Sequence, residues 1–263
     1  MRVIILTTSL YGTTGHHLPA LHQCKDVEIA MVVVSEGQVI NRKKQILKRI
    51  KKILKIGLRG AMNGIRMRKW YTEDINKYCK VENAEEYCRA HNIPLKRVPS
   101  TNSEETIQLF KEANADVGLS LGNGYISGKV FKVPKCGMLN IHHEVLPQYQ
   151  NAQSIIWQLY NGSSETGYTI HKINKHIDTG EILLQEKMPI VFRDTLEDTV
   201  AFNYARLFDA SAEGLVRVLK NFEQYFAAAK PQGKGTSYTT PSYMQFLKIK
   251  KQFEKLKKQY TAK

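Results

Sequence analysis

The sequence predicts an α/β protein, a mostly parallel twisted sheet flanked by helices. Three observations carry this. Short apolar runs at 2–8, 30–35, 93–99, 116–122 and 137–141 alternate with stretches of helical periodicity, the pattern of βαβ units with right-handed crossovers. Two further β-rich runs, 166–174 and 181–190, follow with only a turn between them, so this edge of the sheet is expected to include an antiparallel strand. Finally, the run GMLNI carries Asn140 and is followed by His142, at the strand end where open α/β sheets receive ligands.

Each element has its own signal. Residues 2–8 form a buried strand, Gly12 and Gly15 mark a turn, and a helix is expected over about 16–24. Gly12 and Gly15 do not fit the G-x-G-x-x-G dinucleotide pattern. AMVVVS, 30–35, is the second strand. Asn83 caps a helix over 82–91, and Asn102 or Ser103 opens another that runs to about 114. A short helix over 127–131 precedes Pro134, and a helix is expected over 152–161. Residues 195–226 read as a long amphipathic helix opened by Thr195, with Leu196, Val200, Leu207, Leu215 and Leu219 buried. A Gly-rich turn at 233–235 leads to a basic terminal helix, 242–260, read as a dimer contact or a solvated tail.

The net charge of +15 is concentrated: between Glu36 and Glu73 there are twelve Lys or Arg and no acid. Within 41–58, Ile46, Leu47, Ile50, Ile53, Leu54 and Leu58 recur at three- and four-residue steps among the cations, which predicts a basic amphipathic helix. Such a helix suits an ordinary surface with a solvated basic face, contact with an anionic membrane surface, or a protein partner. GAMNGIRMRKWY follows, and its glycines suggest a loop. Arg66, Arg68, Trp70 and Tyr71 mix cations with aromatic faces and could hold a nucleotide's phosphates and base, although surface packing explains them equally well. No run of 18 apolar residues is present, and MRVIILTT reads as a strand rather than a secretion signal. Cys24, Cys79, Cys88 and Cys136 form no C-x-x-C and read as free thiols, so a cytoplasmic setting is expected.

Asn140 and His142 stand two apart, so on a strand they share a face. Asp178 follows the run TGYTIHKI and precedes the turn at Thr179-Gly180. An amide donor, an imidazole and a carboxylate suit acyl transfer: the first two stabilise an oxyanion, and the third takes or steers a proton. NIHHEVLPQYQNAQSIIWQLYNG, ETGYTIHKI and IDTGEIL together resemble the core signature of the folate-dependent formyltransferases. That signature has an Asn-x-His, a Leu-Pro loop (here Leu146-Pro147) and an Asp-x-Gly, with the Asp 38 positions after the Asn. The clear match covers about residues 115–190. His143 stands where relatives often carry Pro, Ser or Thr, and Asn151 where they often carry Gly.

The resemblance implies a Rossmann-like fold, 10-formyltetrahydrofolate as co-substrate and a primary amine as acceptor. It implies Asn140, His142 and Asp178 as the catalytic residues, with Leu121, Gly122, Tyr125 and Leu146 beside the folate. It also implies a formyltransferase domain over 1–205, carrying the basic insertion 41–72, and a helical extension over 206–263. Only about 70 residues follow Asp194, and they read as helix rather than as the β-barrel of methionyl-tRNA formyltransferases, so no nucleic acid is expected. The best-fitting relatives are the amino-sugar N-formyltransferases of surface-glycan synthesis, acting on nucleotide-linked sugars. A formyltetrahydrofolate hydrolase and a non-catalytic membrane or polyanion binder are the rivals. A homodimer through the terminal helix stays open. No metal is expected, because HHE is not H-E-x-x-H. Gly118-Leu119-Ser120-Leu121-Gly122 matches G-x-S-x-G formally, but no histidine follows His176 and Ser120 sits in an apolar run, so it reads as strand.

Overall fold

The computed structural model describes residues 1–36 and 42–261. Seven strands form one sheet: β1 (Arg2–Thr7), β2 (Glu28–Ser35), β3 (Leu95–Val98), β4 (Val117–Ser120), β5 (Met138–His142), β6 (Glu165–Lys172) and β7 (Ile182–Pro189). Their order is β3-β2-β1-β4-β5-β6-β7. The pairings from β3 to β5 are parallel, and β6 and β7 add antiparallel at one edge. The helices are α1 (Thr13–Gln23), α2 (Arg42–Thr72), α3 (Ala84–Ala90), α4 (Glu104–Ala113), α5 (Gly128–Phe131), α6 (Ile156–Tyr160), α7 (Leu196–Lys220), α8 (Phe222–Ala227) and α9 (Tyr243–Thr261). The Rossmann-like α/β class and the antiparallel edge are as the sequence predicts.

Strand alternation divides the core. Val3 and Ile5 of β1 join the larger cluster with Val32, Leu119, Leu139 and Ile170. Ile4 and Leu6 point the other way, to Val33, Phe110, Val130 and Met138. Asn83 caps α3 by accepting from the amides of Glu85 and Glu86, and Ser103 caps α4 by accepting from Thr106. Thr195 does the same for α7, accepting from Asp198. Leu196, Val200, Leu207, Leu215 and Leu219 are all buried. The expected helix 195–226 is divided at Asn221, and the domain limit expected at residue 205 falls inside unbroken α7.

Three local expectations change. The first concerns GAMNGIRMRKWY, which is not a loop: it continues α2 to Thr72, with a break at Gly57 (φ 76°, ψ 161°). Its glycines serve close approach. A Cβ on Gly64 would lie 2.7 Å from the Thr240 side chain, so packing on the 240–243 turn overrides a poor helix propensity. The second is the helix expected over 152–161, which shrinks to α6 because Asn151 (φ 50°) and Ile155 (φ 70°) take left-handed conformations. The third is α9, which is no solvated tail. Phe246, Ile249, Phe253 and Leu256 bury its apolar face in the larger cluster.

Candidate active site

A cavity of about 510 Å³ opens at the C-terminal ends of β4 and β5. Asn140 and His142 enter it from β5, and Asp178 from the loop joining β6 to β7. Asp178 is 9% exposed and adopts φ 55°. Two contacts brace it: the Asn151 amide N–H donates to Asp178 Oδ2 at 3.0 Å, and Gln150 Nε2 donates to its carbonyl at 3.3 Å. Gly180 closes the turn. A Cβ there would lie 1.7 Å from the Lys172 carbonyl oxygen, so the position admits no side chain.

His142 Nε2 donates to the Tyr149 carbonyl at 2.8 Å. That leaves Nδ1 facing Asp178 Oδ2 at 3.8 Å, an ion-pair distance when the ring is protonated. Across the β5–β6 pairing Asn140 stands opposite His171. His171 Nδ1–H donates to the Lys172 carbonyl at 2.9 Å, so in the neutral ring Nε2 is an acceptor. Asn140 Nδ2 donates to that acceptor at 3.2 Å. The contact fixes which end of the amide is NH₂ and leaves its second N–H for the cavity. Burial holds the His171 pKa down at about 4, so the ring keeps this acceptor at neutral pH.

Beneath these residues lie polar groups with no water-facing side. Glu144 is fully buried, takes a hydrogen bond from Gln158 Nε2, and leaves Oε1 without a partner. Desolvation holds its carboxyl well above the ordinary range, against hydrogen bonds from Gln158, Ile155 and Ser154 that pull it down. His143 and His17 share the Ser211 hydroxyl, at 3.2 and 2.9 Å from their Nε2 atoms. Burial pushes both histidines below their ordinary range, His17 to about 3.

The other sequence candidates divide. Gly122 (φ 82°) and the half-exposed Tyr125 line the cavity. The side chains of Leu121 and Leu146 are instead buried, each about 1% exposed, and support the loops from behind. Arg68 and Tyr71 line the cavity from α2, and the Tyr71 hydroxyl donates to the Ser154 carbonyl at 2.7 Å. Trp70, expected to meet a nucleotide base, is 2% exposed and packs near Phe246. One helical step of 100° separates it from the cavity-facing side. Arg66 pairs with Glu197 at the surface and does not line the cavity. Ser120 lies in β4 with its hydroxyl 3.1 Å from Asn123 Nδ2. The four cysteines are free thiols. Sequence reasoning missed the Tyr149 carbonyl and the Asn151 amide; the signal was Asn151 itself, one of the few side chains that tolerate a left-handed backbone.

Known proteins resemble this chain in sequence and in fold. Methionyl-tRNA formyltransferase of Bacteroides fragilis is 33% identical over 149 residues, which is 54% of this chain and 46% of that protein, so the chain spans less than half of its length. Glycinamide ribonucleotide transformylase 1 from Symbiobacterium toebii superposes with a TM-score of 0.56 at 15% identity, over 89% of this chain and 94% of that one. A sugar 3N-formyl transferase, crystallised in the presence of dTDP and 5-N-formyl-THF, superposes with a TM-score of 0.52 at 16% identity, over 96% of this chain and 79% of that one. These likenesses establish the shared fold. The family model described as formyl transferase matches residues 1–219, which include every residue of the cavity, and the chain therefore belongs to the formyl transferase family.

Proposed function

We propose that this chain transfers a formyl group from 10-formyltetrahydrofolate to the primary amine of a nucleotide-linked amino sugar. The observation that carries the reading is the convergence of Asn140, His142 and Asp178 on one cavity, with the Asn140 amide oriented by His171. The cavity fits a folate co-substrate in kind: Gly122 offers backbone, Tyr125 an exposed ring and Asn140 a polar end. Bound there, the co-substrate supplies an electrophilic formyl carbon. Asn140 Nδ2–H and protonated His142 Nδ1–H donate to the formyl oxygen as negative charge builds on it. The Tyr149 carbonyl occupies His142 Nε2–H and so directs the ring's other proton inward. Asp178 takes the proton that the attacking amine loses, directly or through water. One N–H of the acceptor is replaced by an N–formyl bond, and the folate nitrogen regains a proton.

Two features support an amino-sugar nucleotide. Arg68 and Tyr71 offer a cation and an aromatic ring at the cavity. The sugar 3N-formyl transferase crystallised in the presence of dTDP superposes over 96% of the chain. The test is incubation with 10-formyltetrahydrofolate and a panel of nucleotide-linked amino sugars, read by mass spectrometry. Expected is the mass gain of one formyl group on one sugar, lost in Asp178→Asn. Folate consumption without any formylated sugar would replace this reading with a formyltetrahydrofolate hydrolase.

A further inference from the structure

The described side chains in the outer half of α2 are uncovered. From Arg49 to Lys55 every residue is exposed, and Ile56 is the first buried one among the described residues. Ile46, Leu47, Ile50, Ile53, Leu54 and Leu58 are nonetheless apolar and 42–78% exposed. At 100° per residue, the five from Ile46 to Leu54 fall within an arc of about 120°. Arg49 borders the arc on one side and Lys51 on the other, with Lys52 and Lys55 behind. A helix with this much uncovered apolar surface calls for an external partner.

We propose that this half of α2 docks on an anionic lipid membrane, with its apolar arc among the acyl chains and its flanking cations at the headgroups. Charge complementarity selects the occupant. No acid occurs between Glu36 and Glu73, so a second copy would bring cation against cation. A soluble polyanion would neutralise Arg49, Lys51 and Lys52 but leave Leu54 and Leu58 in water. A lipid surface satisfies both and demands no complementary shape. Among the described residues no helix is long and apolar enough to cross a membrane, so the contact is peripheral. Beyond the break at Gly57 the chain enters the protein as helix: Met67 and Trp70 are buried, and Arg68 lines the cavity. Ten helical residues separate Leu58 from Arg68, about 15 Å, so docking holds the cavity close to the lipid surface. The proposal stands whether or not the acceptor is an amino sugar.

The test is flotation of the whole chain with phosphatidylcholine vesicles, with and without a third of phosphatidylglycerol. Expected is partitioning onto the anionic vesicles at low salt, and at least tenfold less onto phosphatidylcholine alone. Ile50→Glu with Leu54→Glu lowers partitioning tenfold or more, and each of Lys51→Gln and Lys52→Gln lowers it about fivefold. Thermal unfolding checks that these variants stay folded. Leu54→Trp, which keeps the apolar character, gives a blue-shifted emission on anionic vesicles only. Absence of partitioning at low salt overturns the proposal. So does unchanged partitioning of the Ile50→Glu/Leu54→Glu variant, which marks a charge-only polyanion site. A wild-type dimer that ignores vesicles and is split by the same variant assigns the face to a second copy instead.

Discussion

Asp178 and Asn151 both hold left-handed backbone conformations, at φ 55° and 50°, and the Asn151 amide N–H donates to the Asp178 carboxylate at 3.0 Å. Two loops distant in sequence thus brace each other in conformations that neither would favour alone. Asn tolerates such a φ, whereas a β-branched residue does not. Asn151→Gly is expected to retain most turnover. Asn151→Val should cost about 1–2 kcal/mol of stability and lower kcat by moving the carboxylate. Steady-state rates beside urea melts of both variants check this.

Gly180 sets the opposite side of the same loop. Because a Cβ there meets the Lys172 carbonyl at 1.7 Å, Gly180→Ala must move backbone rather than a side chain. We expect a loss of about 2 kcal/mol or more in denaturant unfolding, with activity falling further than stability because Asp178 is two residues away. An alanine variant with normal kcat would show that the loop yields without disturbing the site.

The orientation of Asn140 by His171 is testable as a pair. Asn140→Ala should lower kcat about 10²–10³-fold as a lost oxyanion donor. His171→Leu removes no donor from the cavity but frees the amide to rotate, and should cost about tenfold or more. If His171 acts through Asn140, the double variant will be scarcely slower than Asn140→Ala. Multiplying penalties would mean that His171 acts independently.

Glu144 gives the protein a pH signature. Its folded pKa is raised by burial, so below the unfolded value, about 4.5, both states are protonated and no penalty exists. As pH rises from there toward the folded pKa, the unfolded chain ionises while the folded one resists. Stability falls by about 1.4 kcal/mol per pH unit. Glu144→Gln cannot titrate. The stability difference between variant and wild type should therefore grow as pH rises above about 4.5, measured by urea melts at each pH. A difference independent of pH would place the titration elsewhere.

Phe253 tests whether α9 belongs to the cooperative unit. It is 2% exposed and its ring centroid lies 6.2 Å from that of Phe192. Phe253→Ala is expected to cost about 3–5 kcal/mol in a single transition. A surface tail would lose about 0.5 kcal/mol.

What was legible in the sequence follows the range of the physics involved. Runs such as 2–8 and 137–141 declare strands through local hydrophobicity, and Asn83, Ser103 and Thr195 declare helix starts through their side-chain oxygens. The convergence of Asn140, His142 and Asp178 was legible because their types and spacing together resemble the formyltransferase signature; spacing alone would not have carried it. Trp70 was not: a tryptophan among arginines reads alike whether its ring faces ligand or core, and only the packing of α2 on α9 decides. Gly60 and Gly64 misled for the same reason, since their value lies in contacts with residues 240–243, nearly 180 positions away. The pairing of His171 with Asn140 depends on strand register, which no local pattern encodes.

That register has a consequence for how competence is acquired. Asn140 faces His171 only because β6 pairs with β5 in one alignment. A slip by one residue would set Ile170 or Lys172 opposite the amide and turn the imidazole to the far face of the sheet. A molecule misaligned at that edge would lack the contact that orients the Asn140 amide, so the proposed chemistry depends on a pairing made far from the reacting atoms' own loops.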